Sequence, residues 1–159
     1  MDRNMYLDKL IRRKGNGMIK VITGIRRCGK TYLLFELFHQ HLLESGVDKK
    51  HIIKIALDDR INKKYRDPDV LCEYVHKEIK DEQMYYILLD EVQMVEEFED
   101  VLNSFLHIKN ADVYVTGSNA KFLSKDIITE FRGRGDQVHL YPLSFAEFVT
   151  GKGIEVTTY

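Results

Sequence analysis

Apolar residues along this chain fall into two alternating patterns. Met18 to Thr23, Ile52 to Leu57, Tyr85 to Leu89, Asp112 to Thr116 and Gln137 to Tyr141 read as short strand-like runs, and turn or charged residues separate them from their neighbours. Between these runs, apolar positions recur every three or four residues, as one face of a helix requires. Leu34, Leu37, Phe38 and Leu42 form one stripe, and Leu71, Val75 and Ile79 a second. Phe98, Val101, Leu102, Phe105 and Leu106 form a third, and Phe122, Leu123 and Ile127 a fourth. The punctuation agrees. Tyr6 to Lys14 is a short amphipathic helix, Gly15-Asn16-Gly17 turns into the first strand, and Gly46 stops the helix after it. Asp67-Pro68 starts the next helix as cap and first residue. Strands alternating with helices, joined by right-handed crossovers, predict an α/β fold with a doubly wound parallel sheet. Ligands bind such a sheet at the carboxyl ends of its strands.

Composition narrows the choice of class. The chain has 159 residues and a net charge of −1, which suits one compact domain over 1–159 and leaves no spare length for a second. No apolar stretch reaches the length of a membrane span, and Met1 to Lys14 lacks the apolar centre of a signal peptide, so no membrane partner and a cytoplasmic location are expected. Two cysteines make no disulfide framework, and the six histidines show no zinc-site spacing. Arg12-Arg13-Lys14 and Lys63-Lys64 are small basic clusters, read as solvated faces. DNA binding stays open as a partner class, but the balanced charge gives it no support.

The chemistry concentrates in a few places. Gly24-Ile25-Arg26-Arg27-Cys28-Gly29-Lys30-Thr31 fits the phosphate-loop pattern between a strand and a helix, and the nucleotide-contacting stretch runs on to Tyr32. Gly24 and Gly29 let the backbone curl so that main-chain amides and a helix N-terminus meet phosphate oxygens. Lys30 supplies a mobile charge for the β- and γ-phosphates, and the Thr31 hydroxyl joins the shell of Mg²⁺. Cys28 is read as a neutral spacer rather than a redox switch, and Arg26 and Arg27 as variable positions open to a phosphate, a partner or water, with Arg27 the weak candidate of the two. The run from Tyr85 ends in two carboxylates, Asp90 and Glu91, and looks like a Walker B strand; that resemblance implies that Asp90 holds Mg²⁺, usually through water, and that Glu91 polarises the attacking water. No N-K-x-D motif is present, so ATP is expected rather than GTP.

These motifs resemble known ones. The single strand between the Asp90 strand and the phosphate loop resembles the additional-strand, catalytic-glutamate division of P-loop NTPases. That resemblance implies the sheet order 5-1-4-3-2 and hydrolysis. Val115-Thr116-Gly117-Ser118-Asn119-Ala120 resembles the sensor 1 region of AAA+ ATPases, with Asn119 preferred over Ser118 for the γ-phosphate. In Phe131-Arg132-Gly133-Arg134-Gly135, Arg134 is the preferred arginine finger, on this chain's own site or a neighbouring subunit's, and a solvated basic turn or a contact to the local backbone is the alternative. Together with Tyr141-Pro142-Leu143-Ser144-Phe145-Ala146-Glu147-Phe148, these segments resemble the prokaryotic AAA-type ATPases with a P-L-S-F-x-E-F signature. In that signature, Ser144 and Glu147 also read as a capping box. The resemblance covers nearly the whole chain. It implies ATP and Mg²⁺ as ligands, a homo-oligomer or partner protein, and a nucleotide cycle that moves an attached domain or partner. A nucleotide-gated interaction module is the alternative. The family's lid and C-terminal domain find no counterpart here, which suggests a fragment, and no residue can be assigned as sensor 2.

Overall fold

The computed structural model describes residues 3–24, 29–118 and 134–141. Five strands form one sheet: β1 (Ile19–Thr23), β2 (Ile52–Ala56), β3 (Tyr85–Asp90), β4 (Ala111–Gly117) and β5 (Gly135–His139). All four pairings are parallel, and the order is β2-β3-β4-β1-β5. Read from the other edge this is 5-1-4-3-2, the order expected. The helical stripe at Phe122, Leu123 and Ile127 and the Ser144–Glu147 capping box lie outside the described residues.

The helices cover both faces because β1, β3 and β4 carry apolar side chains on both sides. On one face Ile19, Val21, Ile87, Leu89, Val113 and Val115 pack with Leu71 and Val75 of α3 (Pro68–Glu78) and with Val101, Leu102 and Phe105 of α4 (Phe98–Phe105). On the other, Ile22, Leu88, Tyr114 and Val138 meet Leu33, Leu34 and Phe38, and Leu10 of α1 (Arg3–Arg12) closes that layer. Asp67 caps α3 as read, since its carboxylate accepts from the amides of Asp69 and Val70 at 2.9 and 3.2 Å.

Three local features differ from the reading. The helix after the phosphate loop is wound in the wide π manner over Tyr32–Phe38 and becomes ordinary α-helix, α2, only at His39–Glu44. Single π turns of this kind often occur at functional sites. A tight 3₁₀ segment, Arg60–Arg66, fills the connection after β2; the Arg66 side chain is tied to the Leu57 carbonyl at 2.8 Å. Strand β5 begins at Gly135 rather than Gln137, because Ile19 pairs with Gly135 and the Ile19 amide donates to the Arg134 carbonyl at 2.8 Å.

Candidate functional site

Strand order brings the two main motifs together. The loop that opens at Gly24 follows β1, Asp90 ends β3, and β4 lies between them. Gly24 has φ of 146° and Gly29 of 95°, conformations that a side chain would strain, so the glycines stand where the curl turns. The Leu33 amide donates to the Gly29 carbonyl at 2.9 Å, so helical bonding begins at once beyond the loop. Ile25, Arg26, Arg27 and Cys28 lie outside the described residues.

Lys30 is buried, and its Nζ donates to the Gly24 carbonyl at 2.8 Å, bridging the two ends of the loop. Thr31 Oγ1 is 3.0 Å from each oxygen of Asp90. These two residues are 59 positions apart in sequence, so the fold alone makes them neighbours. Tyr32 is exposed at the start of the helix.

Asp90 is almost fully buried, and burial pushes its carboxyl above the ordinary range. Hydrogen bonds from Thr116 and Thr31 pull it back, while the charges of Glu91 and Asp58 push it further up. A buried carboxylate beside a hydroxyl is a hard-oxygen donor pair, which suits Mg²⁺ because that ion keeps several waters and phosphate oxygens in its shell. Among the described residues no group of three or more His, Cys, Asp or Glu could cage a metal by itself. Phosphate oxygens would therefore complete the shell, and the residues fit a nucleotide-borne cation.

Glu91 takes the left-handed conformation, φ 54° and ψ 54°. For a non-glycine residue this costs about 1 kcal/mol or more, and it persists only where the surroundings hold it. Here they do. Its amide donates to Thr116 Oγ1 at 2.9 Å, Ser118 Oγ lies 2.8 and 2.9 Å from its two carboxylate oxygens, and Gln93 Nε2 donates to one of them at 3.1 Å.

Of the two sensor candidates, Ser118 touches Glu91, whereas Asn119 lies outside the described residues. Arg134 stands away from the loop of its own chain and makes the backbone contact read as its alternative. It precedes β5, and β5 runs parallel to β1, so Arg134 stands at the amino end of the sheet, opposite the loop. Its guanidinium donates to the Gly17 carbonyl at 3.0 Å, and five residues of strand, about 17 Å at the usual rise, separate it from the nucleotide end. Thr116 and Gln93 were not singled out from sequence. For Thr116 a signal existed: Leu89 pairs with Val115, so Thr116 stands beside Asp90 one step further on.

Comparisons with known proteins bear on the family and the fold. Residues 16–149 match the family described as the AAA domain. An uncharacterised protein of Haemophilus influenzae is 32% identical over 156 residues, covering 98% of this chain and 39% of that protein. An uncharacterised protein of Methanocaldococcus jannaschii is 32% identical over 142 residues, covering 87% of this chain and 30% of that protein. This chain thus spans well under half the length of both relatives. Among solved structures, C. elegans PCH-2 matches with a TM-score of 0.62 at 16% identity, covering 93% of this chain and 41% of that one. AMPPCP-bound DnaA from Aquifex aeolicus matches with a TM-score of 0.56 at 16% identity, covering 96% and 51%. A chain of the Drosophila ORC structure bound to DNA gives 0.59 at 12%, covering 90% and 92%. At these identities the structures speak for the fold. With a parallel sheet in the order 5-1-4-3-2 and a family match over most of its length, this chain belongs to the AAA domain family of P-loop ATPases.

Proposed function

We propose that this chain binds ATP with Mg²⁺ and hydrolyses it, and that the nucleotide cycle moves an attached domain or partner. The observation that carries the reading is the contact of Thr31 with Asp90 at 3.0 Å, beside Lys30 and directly before Glu91. It joins a phosphate loop, a metal-holding carboxylate and a proton acceptor in one place. A bound Mg²⁺ would neutralise charge developing on the β- and γ-phosphate oxygens.

The chain's own residues do the rest. Lys30, held at the loop, would meet the phosphate oxygens, and Thr31 and Asp90 would hold the cation. Glu91 orients water in line with the γ-phosphorus and accepts its proton. The bond from water oxygen to phosphorus forms as the bond to the β–γ bridging oxygen breaks, and ADP leaves with the displaced electron pair. Ser118 orients the Glu91 carboxylate and reports on the γ-phosphate end. Arg134, if it serves as a finger, serves a neighbouring copy.

The test separates binding from chemistry. Glu91→Gln should lower phosphate release by about a hundredfold or more while ATP affinity stays within about threefold, and Lys30→Ala should lose both. Isothermal titration with ATP and GTP, paired with a phosphate-release assay, reads these outcomes. Hydrolysis that survives Glu91→Gln would refute the assignment of the proton acceptor.

A further inference from the structure

One buried hydroxyl touches both acidic residues of the site. Thr116, near the carboxyl end of β4, is fully buried, and its Oγ1 lies 2.6 Å from Asp90 Oδ1 and 2.9 Å from the Glu91 amide nitrogen. An amide N–H can only donate, so that bond takes a lone pair of the hydroxyl and leaves its single proton for Asp90. Both bonds thus have a fixed direction. A carboxylate oxygen that accepts from Thr116 cannot swing without breaking the bond, and Thr31 lies 3.0 Å from each of the two oxygens.

Glu91 is held by the same group. Its left-handed backbone is a pose that the surroundings must impose, and the amide bond to Thr116 fastens it sideways to the central strand. We propose that Thr116 is a positioning residue that sets the Asp90 carboxylate and the Glu91 backbone in one relation, so that the metal-holding group and the proton acceptor are aligned together. This rests on the hydrolytic reading above. Thr116 is fully buried and acts through the two acids it touches. A hydroxyl with only a packing role would satisfy the same two polar atoms but leave turnover and cation dependence unmoved when replaced.

The experiment uses the full chain with two substitutions. Thr116→Val keeps the shape and removes both bonds, whereas Thr116→Ser keeps the hydroxyl. The readouts are kcat and KM for ATP, and the Mg²⁺ concentration that half-saturates binding of a non-hydrolysable ATP analogue; circular dichroism and thermal melting check that each variant folds. Valine should lower kcat by about thirtyfold or more with KM within about threefold, since a small misplacement of reacting groups costs rate rather than affinity. It should also raise the half-saturating Mg²⁺ by about tenfold, the usual effect of losing a partner that orients a metal ligand. Serine should restore both to within about threefold of the wild type. A folded valine variant with unchanged kcat and Mg²⁺ dependence, or a serine variant as impaired as valine, overturns the assignment. If the wild type shows no turnover, the hydrolytic reading fails and the Mg²⁺ titration alone decides. If the valine variant does not fold, Thr116→Ala takes its place.

Discussion

Burial sets the chemistry of Asp90 before any ligand arrives. Its carboxyl is held above the ordinary range chiefly because the strand end excludes water, and the two threonine hydroxyls offset only part of that. An acid raised in the folded state contributes stability below its unfolded pKa, and that contribution is lost as pH rises through the folded value. Once pH has risen through that folded value the ionised carboxylate weighs against the nucleotide-free fold, and a cation offsets the cost. Asp90→Asn should raise the stability of the Mg²⁺-free protein at neutral pH by about 1 kcal/mol while removing the gain in nucleotide affinity that Mg²⁺ gives. Melting curves in EDTA from weakly acidic to neutral pH check this, and a lower midpoint for the asparagine variant would refute it. That Thr31 and Asp90 meet was legible in the sequence because each belongs to a pattern local to one loop or one strand end. Thr116 and Ser118 were harder to read, since their partners are 25 to 27 residues away and become neighbours only through strand order.

The strands were read correctly in type and nearly in extent, because buried parallel strands leave continuous apolar runs. One side chain within them was not foreseen. Lys20, the second residue of β1, is fully buried, and its Nζ lies 2.5 Å from Asp112 Oδ1. Asp112 Oδ2 accepts from Tyr114 at 2.6 Å and from the Gly15 amide at 2.9 Å, so the turn before β1 is fastened to β4 by one carboxylate. Burial lowers the Lys20 pKa, and the Asp112 charge opposes that. A buried pair whose remaining polar atoms are satisfied is costly to break. Asp112→Ala should destabilise the fold by about 3–5 kcal/mol, measured by urea denaturation. ATP affinity of the folded fraction should stay unchanged, because the pair lies at the end of the sheet opposite the loop. An affinity loss as large as the stability loss would contradict this separation. Arg134 follows the same logic: a residue before a parallel strand belongs to the amino end, so its place was readable from topology even though its composition suggested a finger.

The sheet has one fastened end and one ligand end, and nucleotide binding should register as stability of the entire domain. At a hundred times the dissociation constant, binding to the native state alone adds about 2.7 kcal/mol. For a chain of this size that is a rise in melting temperature of roughly 5–10 °C. Differential scanning fluorimetry with ATP and Mg²⁺ should show the shift in the wild type and not in Lys30→Ala; equal shifts in both would place the ligand elsewhere. The architecture itself was legible because the order of elements and the handedness of crossovers leave few topologies. The π-wound turns of Tyr32–Phe38 were not, since apolar positions at helical spacing do not distinguish one winding from another. The left-handed pose of Glu91 was equally invisible, and it carries a consequence of its own. Glycine adopts that backbone freely, so a screen that rewards heat endurance alone would drift toward glycine at 91, discarding the carboxylate for a more relaxed turn.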